Sequence, residues 1–287
     1  MQLLVHGGAG SDPDEPEPRQ ETLDEAARRG AGATTPVEAV VTATRELESA
    51  PRFNAGTGSA VQSDGRIRTD AGLMTGDGEV GAACSMPGVE HAADVARAVA
   101  TETPHVLLAG DRAVAFAASV GVATDRDLWT AQTRERWDEL ESPESDDVQD
   151  HLAWVREQFG GSDTVGAVAA DGEQVAAATS TGGRWCALAG RVGDVPQIGA
   201  GFYASERAAV STTGAGEAIA RFGLARQVVD AIEDGDDPQT AADRSIRGFE
   251  AATDAQAGII AVDRDGRTGS AYNSAMMQTS AAGDDGI

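Results

Sequence analysis

The stretch Gly161-Ser162-Asp163-Thr164-Val165-Gly166 decides how this chain is organised. It begins a run of small and β-branched residues, 164–170, which passes through the turn Asp171-Gly172 into a second run, 174–180. Two such runs joined by Asp-Gly are typical of an antiparallel β-hairpin. A threonine therefore opens a predicted strand, and an acidic, proline-containing segment precedes it.

Two interpretations of Thr164 follow from the residues alone. A β-branched residue at a strand start, after a Gly/Asp turn, is what packing predicts. The functional interpretation is that the chain is cut between Asp163 and Thr164, which places the hydroxyl of Thr164 beside its own α-amine. An α-amine has an ordinary pKa of about 8, so it serves as a general base at neutral pH without any histidine.

The acidic segment is residues 138–150, with seven acids, no base and one proline. It predicts a flexible linker, followed by a short amphipathic piece at Leu152, Val155 and Phe159. Predicted strands and helices lie on both sides of it. Before it we expect a strand at Leu3–His6 that ends at Gly7-Gly8, and helices within 20–50, the second of which starts at Thr35-Pro36. Short strands should follow within 53–85, with a turn at Ser63-Asp64-Gly65 and a strand at Val80–Met86. Helices are then expected at Ala92–Val99 and Arg112–Val120.

After the hairpin we expect helices at Gly216–Glu233 and Pro238–Ala252, then a second hairpin formed by Ile259–Val262 and Ser270–Tyr272 around Asp265-Gly266. Hairpins indicate antiparallel sheets, and grouped helices indicate layers outside them. The predicted fold class is therefore α+β in one domain over residues 1–287. A four-layer αββα sandwich is one solution, and a generic α+β domain is the other.

Composition excludes several classes of function. The chain has 287 residues, of which 47 are Asp or Glu and 22 are Lys or Arg, and its net charge is −25. All the basic residues are arginine. Because nucleic acids and anionic membranes are bound through basic side chains, neither is an expected partner. Such acidic, lysine-free surfaces resemble those of proteins from high-salt cytoplasms.

Cysteine and histidine usage narrows the choice further. Two cysteines, Cys84 and Cys186, exclude a disulfide scaffold and agree with a reducing cytoplasm. The N-terminus lacks the pattern of a signal peptide, so we expect a cytoplasmic protein. The four histidines are scattered without metal-ligand spacing. A zinc site and a histidine-based triad are therefore not expected, and His6 is expected to be structural.

Five glycine- and threonine-rich blocks accompany Thr164. Four of them have a simple structural alternative: the block at His6 is only a turn, Thr181 ends a return strand, Arg191 and Asp194 form a surface ion pair, and the block at Thr213 is a glycine turn at a helix N-terminus. A nucleotide site at that turn lacks the usual lysine. The blocks are His6-Gly7-Gly8-Ala9-Gly10, Phe53-Asn54-Ala55-Gly56-Thr57-Gly58, Thr179-Ser180-Thr181-Gly182-Gly183, Gly190-Arg191-Val192-Gly193-Asp194-Val195-Pro196 and Ser211-Thr212-Thr213-Gly214-Ala215-Gly216-Glu217.

Together, in this order and at this spacing from His6 to Met277, the blocks resemble the plant-type L-asparaginase/isoaspartyl peptidase family, relatives of glycosylasparaginase among the N-terminal nucleophile hydrolases. The resemblance implies the αββα fold of those hydrolases. It also implies self-cleavage into residues 1–163 and 164–287, and a homodimer of the cleaved pairs. The implied reaction is hydrolysis of the side-chain amide of L-asparagine or of β-aspartyl dipeptides.

The resemblance also implies a role for each matching residue. Thr164 is the nucleophile and Thr181 places a second hydroxyl beside it. Arg191 holds the substrate's α-carboxylate, which suits a planar bidentate donor, and Asp194 holds its α-ammonium. The remaining implied roles are an oxyanion hole made by Thr213 and the N–H of Gly214, and a supporting role for Asn54.

No cofactor is required by this chemistry. The resemblance allows a structural sodium ion in the loop just before Phe53-Asn54, because some relatives hold one there. Three positions depart from the family pattern: Asp163 stands where many members have glycine, the segment 184–190 lacks the usual lysine and proline, and Thr75 stands where an aspartate is common. These departures leave the substrate open, with glycosylasparaginase as the nearest alternative. An uncleaved, non-enzymatic amino-acid-binding protein is the alternative from another class.

Overall fold

The computed structural model describes residues 1–143, 145, 147–161 and 163–283. Within them the chain forms a mixed α+β fold. The strands are β1 (Gln2–Gly10), β2 (Arg68–Thr75), β3 (Val80–Pro87), β4 (Leu107–Ala109), β5 (Val165–Ala170), β6 (Val175–Thr181), β7 (Phe202–Ala204), β8 (Ala208–Gly214), β9 (Ala257–Asp263), β10 (Thr268–Tyr272) and β11 (Met276–Ala282). The helices are α1 (Pro16–Ala31), α2 (Pro36–Glu48), α3 (Ala92–Glu102), α4 (Gly110–Ser119), α5 (Ala131–Asp138), α6 (Val148–Gln158), α7 (Gly216–Phe222), α8 (Leu224–Glu233) and α9 (Pro238–Thr253).

The strands form two sheets. The larger sheet has the order β11-β1-β5-β6-β2-β3-β4, and the smaller has the order β10-β9-β8-β7. All neighbours are antiparallel except β3 and β4, which are parallel. The strand that follows Thr164 is therefore central in the larger sheet, between β1 and β6.

Alternation along β5 shows why the hairpin residues are small and apolar on both faces. Ala167 and Ala169 belong to a core cluster with α1, α2 and α3, whereas Val168 and Ala170 belong to a cluster with β7, β8 and β9 of the smaller sheet. Successive side chains of a strand point to opposite faces, so a strand buried on both sides needs apolar residues throughout. A third cluster packs α7, α8 and α9 on the smaller sheet.

The predicted hairpins are confirmed, and so is the start of the second helix. β5 pairs with β6, with Ala170 opposite Val175, and β9 pairs with β10. Thr35 caps α2, because its side chain accepts a hydrogen bond from the N–H of Glu38. Short-range turn and cap signals thus located these elements correctly.

Several predicted boundaries are wrong. β1 does not end at Gly7-Gly8 but continues to Gly10, and its register with β11 shifts between His6 and Ala9. Residues 53–67 form a loop with one antiparallel bridge, Val61 to Ile67, around the predicted turn. The predicted helix 216–233 is two helices, because Gly223 adopts a left-handed conformation with φ of 68°. The strands β4, β7, β8 and β11 and the helix α5 had no distinct periodic signal.

The predicted linker is shorter than 138–150. Asp138 ends α5, and the first turn of α6 begins at Val148. Glu144 and Asp146 of the linker, and Ser162 before the expected cleavage position, lie outside the described residues. The two helices pack through aromatic rings: Trp137 makes edge-to-face contacts with Trp154 and Trp185, at centroid distances of 5.9 and 6.4 Å. These contacts join the segment before Thr164 to the segment after it.

Phe202 provides a test of the packing between the sheets. Its side chain is fully buried, and a methyl group on Gly72 of the other sheet would overlap its ring. We expect Phe202→Ala to lower the free energy of unfolding by about 3–5 kcal/mol, because it leaves a cavity. The control Tyr272→Ala removes a ring that is 45% exposed and should change stability by about 0.5 kcal/mol or less. Urea unfolding of both variants measures the difference, and equal losses would contradict this packing.

Candidate active site

Thr164 lies one residue before β5, at its end of the larger sheet, and Thr181 ends the neighbouring β6. Both are buried. Their hydroxyls form a hydrogen bond of 3.2 Å, and the Thr181 hydroxyl also accepts the N–H of Gly183 at 3.0 Å. Antiparallel pairing of β5 with β6 thus brings two predicted site residues into direct contact.

The carbonyl of Asp163, which precedes Thr164, has two hydrogen-bond donors. Asn54 donates from Nδ2 at 2.7 Å, and Thr181 donates from Oγ1 at 3.1 Å. Both donors are aimed at the oxygen of the bond that the sequence predicted to be cut. Two preorganised donors on one carbonyl oxygen stabilise negative charge when it develops there.

Asn54 is fixed by further bonds on every side. Its Nδ2 also donates to the carbonyl of Gly183 at 2.6 Å, and its Oδ1 accepts the N–H of Ala60 at 2.7 Å. Its main-chain carbonyl accepts the N–H of Gly182 at 2.9 Å. The loop 53–60 is therefore attached directly to the residues that follow β6.

The side chain of Asp163 is held separately from its carbonyl. One carboxylate oxygen accepts the N–H of Thr164 at 3.1 Å, and the other pairs with Arg19 at 2.8 Å. A side chain on Gly8 would overlap this carboxylate, so the site requires a glycine there. Burial raises the pKa of Asp163, while the charge of Arg19 and these hydrogen bonds oppose that change.

Arg191 and Asp194 lie in the loop after β6, near the N-terminus of α7. Arg191 does not pair with Asp194 as the simple alternative predicted; its Nε donates to Glu217 at 2.8 Å. Partial burial disfavours the charge on Glu217, but Arg191 outweighs it and the pKa of Glu217 is lowered. The Oδ2 atom of Asp194 is buried and has no hydrogen-bond partner among the residues that the structure describes. This carboxylate is therefore available to an incoming donor.

Two buried carboxyls lie in the field of this single guanidinium. Burial raises the pKa of Asp194 to about 6 and that of Asp70 to about 7, although the charge of Arg191 opposes both shifts. Asp70 accepts the N–H of Ser85 at 2.7 Å and lies opposite Thr181 in the pairing of β2 with β6. Asp70 thus belongs to the floor of the same site.

Thr213 and Gly214 end β8 in the smaller sheet. Thr213 is fully buried and its hydroxyl accepts the N–H of Ala9 at 3.3 Å. Gly214 has a φ of 132°. A methyl group there would overlap the main chain, at 2.4 Å from the carbonyl oxygen of Gln256 and 2.7 Å from Cα of Ala257. Glycine is needed at this position because other residues rarely adopt this backbone conformation.

Glycines mark where these groups meet. A methyl group on Gly183 would lie 3.6 Å from Nη1 of Arg191, and one on Gly216 would lie 2.5 Å from Oδ1 of Asp194. Because Gly183 also bonds Thr181, the two hydroxyls, the guanidinium and the end of β8 surround one small region. The structure thus brings Asn54, Asp163, Thr164 and Thr181 into direct contact, and it places Arg191 and Asp194 beside Gly216, two residues after Gly214.

His6 is structural in this arrangement, as expected. It is fully buried, and its Nε2 forms a 2.9 Å hydrogen bond with Ser211, whose hydroxyl also bonds Thr179 at 2.7 Å. Burial lowers the pKa of His6 to about 3, so its ring is neutral at physiological pH. The ring ties β1 to β8 beneath the site.

Within residues 1–143, 145, 147–161 and 163–283, no three histidine, cysteine or acidic side chains are grouped so that they could hold a metal ion. No helix within the same ranges combines the length and hydropathy needed to cross a membrane.

Comparison with known proteins decides the family. A family model described as "Asparaginase" matches residues 1–287. The chain belongs to the asparaginase family.

Named relatives of this asparaginase-family chain fall into two groups. It is 38% identical to the plant-type L-asparaginase of Pyrococcus furiosus, with 96% of this chain and 94% of the relative covered. It is 40% identical to the plant-type L-asparaginase of Pyrococcus abyssi over the same shares. It is 36% identical to the isoaspartyl peptidase/L-asparaginase of Danio rerio, with 98% of this chain and 91% of the relative covered.

Sequence reasoning missed three charged residues of the asparaginase site. Arg19 lies in α1 without any motif, so the sequence contains no signal that it meets Asp163. Glu217 is the last residue of the block that begins at Ser211. Its place at the start of α7, near Arg191, was the available signal. Asp70 lies five residues before Thr75, the position at which this chain departs from the family pattern, and the sequence predicted no role for it.

Asp70 provides a pH-dependent test of the charge arrangement. An unfolded aspartate ionises near pH 4, whereas folded Asp70 ionises near pH 7. The contribution of Asp70 to stability is therefore present below pH 4 and is lost as the pH rises through 7. When the pH is raised from 4 to 8, the unfolding free energy of Asp70→Asn should therefore increase by more than about 1 kcal/mol relative to that of wild type.

Urea unfolding at several pH values measures this difference. Asp265→Asn, at a side chain that is 77% exposed, is the matched control and should follow wild type. Parallel curves for Asp70→Asn and wild type would contradict the buried, proton-binding state of Asp70.

Proposed function

We propose that this chain is an N-terminal threonine amidohydrolase that cleaves itself between Asp163 and Thr164 and then hydrolyses L-asparagine or β-aspartyl dipeptides to release L-aspartate. One observation carries the proposal. The carbonyl of Asp163 is bound by Asn54 and Thr181, and Thr181 also bonds the hydroxyl of Thr164. The names of the relatives, L-asparaginase and isoaspartyl peptidase, support these substrates.

Self-cleavage would begin with attack of the Thr164 hydroxyl on the Asp163 carbonyl carbon. The C–N bond breaks, the hydroxyl proton goes to the nitrogen, and Asp163 becomes an ester on Thr164 Oγ. Water then hydrolyses the ester, which frees Asp163 with a new main-chain α-carboxylate and restores the hydroxyl of Thr164. Asn54 and Thr181 would stabilise the negative charge on the carbonyl oxygen during the attack.

Catalysis would use the same hydroxyl, now beside a free α-amine. The amine takes the proton from Thr164 Oγ as it attacks the substrate's side-chain amide carbon, and it returns the proton to the departing nitrogen. The β-aspartyl ester formed on Thr164 is then hydrolysed to aspartate. Thr181 would hold the nucleophile in position through the hydrogen bond that it already makes.

Substrate binding would use the opposite charges of Arg191 and Asp194. The guanidinium of Arg191 suits an α-carboxylate, and Glu217 would fix its plane. The partnerless oxygen of Asp194 would accept the α-ammonium. Thr213 and the N–H of Gly214 would form the oxyanion hole of the mature enzyme, where the end of β8 approaches this pair.

The proposed fold is the four-layer αββα sandwich of N-terminal nucleophile hydrolases, in one domain that matures into residues 1–163 and 164–287. The core cluster between the two sheets and the helical clusters on their outer faces support it. We also propose that two cleaved pairs form a homodimer. This last proposal rests on the family alone.

A high-salt cytoplasm is the proposed location. It is supported by the net charge of −25 without lysine and by two buried free thiols, Cys84 and Cys186. Carboxylate-rich surfaces keep proteins soluble and monodisperse by their net charge.

A structural sodium ion is also proposed in the loop just before Phe53-Asn54, where main-chain carbonyl oxygens would be its ligands. A methyl group on Gly58 would lie 2.6 Å from the carbonyl oxygen of Pro51 and 3.3 Å from that of Phe53. Neutral carbonyl oxygens are suitable ligands for monovalent cations. Bound sodium would order this loop and hence Asn54; no step of the reaction passes through it.

The sodium proposal predicts an ion-specific stability. We expect the melting temperature to be higher in sodium chloride than in choline chloride at equal ionic strength, because an ion that binds only the folded state stabilises it. Scanning calorimetry measures the difference. Identical melting temperatures at several concentrations would show that the loop binds no sodium.

Self-cleavage is the first test of the proposed function. On a denaturing gel, purified protein should show two chains, and the smaller should begin at Thr164 on N-terminal sequencing. Thr164→Ala should stay whole and release no ammonia from asparagine, a loss of at least about 10⁴-fold. Thr101→Ala, at an exposed threonine of α3, is the control and should cleave normally.

The remaining alternatives have different outcomes. A wild-type chain that stays whole after long incubation in high salt would favour the uncleaved binding protein and overturn the hydrolase. Activity on asparagine, β-aspartyl-leucine and a glycosylasparagine, measured side by side, separates the asparaginase from glycosylasparaginase. Cleavage and ammonia release by Thr164→Ala would overturn the assignment of the nucleophile.

A further inference from the structure

Arg19 is a cation whose ionic partner is the residue that self-cleavage releases. Its Nη2 pairs with Asp163 at 2.8 Å, and its side chain is only 14% exposed. Its other contacts with the part of the chain that the structure describes are neutral: the carbonyl of Gly7, the carbonyl of Arg52 at 2.9 Å, and the ring of Phe53 at 4.5 Å. These contacts hold the guanidinium in place whether or not Asp163 is present.

A cavity of about 430 Å³ adjoins this pair, and Arg19, Asp163, Gly161 and Arg184 line it. Across it, Arg184 donates to the carbonyl of Gly161 at 2.9 Å. Gly161, like Asp163, belongs to the end that cleavage frees. Both arginines of the cavity thus bond to a residue on the side that the proposed self-cleavage frees, and Arg184 also pairs with Glu217 at 3.3 Å.

Once Asp163 has left, the half-enclosed guanidinium of Arg19 faces the cavity without the carboxylate that paired with it, and removing one partner of such a pair is costly. A carboxylate that enters from the cavity would restore the pair. The carboxylate of Asp163 itself marks where such a group fits: one oxygen lies 3.1 Å from the nitrogen of Thr164 and the other lies 2.8 Å from Arg19.

The leaving group of a substrate must lie on this same side of Thr164. The leaving nitrogen of the substrate receives a proton from the α-amine of Thr164. In the uncleaved chain, the nitrogen of Thr164 is bonded to Asp163. In a β-aspartyl dipeptide the leaving nitrogen carries a second amino acid, whose carboxylate is two bonds away. That carboxylate falls within the space now filled by the side chain of Asp163.

We propose that Arg19, assisted by Arg184 across the cavity, binds the carboxylate of the leaving amino acid in β-aspartyl dipeptides. The proposal rests on the proposed function. It assigns a second anion site, distinct from Arg191, which holds the carboxylate of the aspartyl part. Asparagine has no group for this second site, so Arg19 favours free-carboxylate isoaspartyl dipeptides over asparagine.

The test compares β-aspartyl-leucine with β-aspartyl-leucinamide, which differ only in the leaving carboxylate. For the wild-type enzyme we expect kcat/KM to be about tenfold or more higher for the acid, as one charge-assisted hydrogen bond would give. In Arg19→Gln this ratio should fall towards one, and in Arg19→Lys it should be intermediate. Arg28→Gln, in the same helix at a 60% exposed side chain, should keep the wild-type ratio.

Self-cleavage of each variant is checked on a gel, since Arg19 also pairs with Asp163 before cleavage. If Arg19→Gln stays whole, Arg184→Gln replaces it and should lower the ratio at least threefold; an unchanged ratio overturns the proposal. A wild-type ratio near one also overturns it. If asparagine is hydrolysed but β-aspartyl-leucine is not preferred over β-aspartyl-leucinamide, only this second site is refuted. If none of the three substrates is hydrolysed, the proposed function itself is refuted.

Discussion

The hydrogen bonds to the carbonyl oxygen of Asp163 are the interaction on which the site depends. Asn54 and Thr181 donate to it from two segments that are far apart in the chain, the loop after α2 and the end of β6. Both positions are set by the larger sheet, which places β5 between β1 and β6. The same bonds that hold this backbone would stabilise the charge that the proposed self-cleavage develops, so folding and the proposed chemistry share one constraint.

Charge within the site is distributed in two groups. Arg19 pairs with Asp163 beside Thr164, and Arg191 and Arg184 both pair with Glu217, near Asp194. In a chain of net charge −25, these partly buried arginines are cations that can meet anionic groups of a substrate. The absence of lysine removes nothing from the mechanism, because the planar guanidinium suits carboxylates better.

Local signals predicted the two hairpins, the cap of α2 and the position of Thr164, because turns and caps depend on a few adjacent residues. The edge strand β4 and the short strand β7 carry little periodicity, so tertiary pairing decides them. The split at Gly223 depends on one left-handed residue inside an otherwise helical pattern. Family resemblance named the candidate site residues, but it did not name Arg19 and Glu217, which pair with Asp163 and Arg191.

By itself, the sequence determined the α+β content and the family, since turn residues and ordered motifs are local properties of the chain. Only the tertiary structure decided that Arg191 pairs with Glu217 rather than Asp194, that Asp70 is buried near them, and that Arg19 meets Asp163. The physical reason is that Arg19 and Asp163 are 144 residues apart. No sequence pattern spans such a separation, and only the packing of α1 against the larger sheet brings the two charges together.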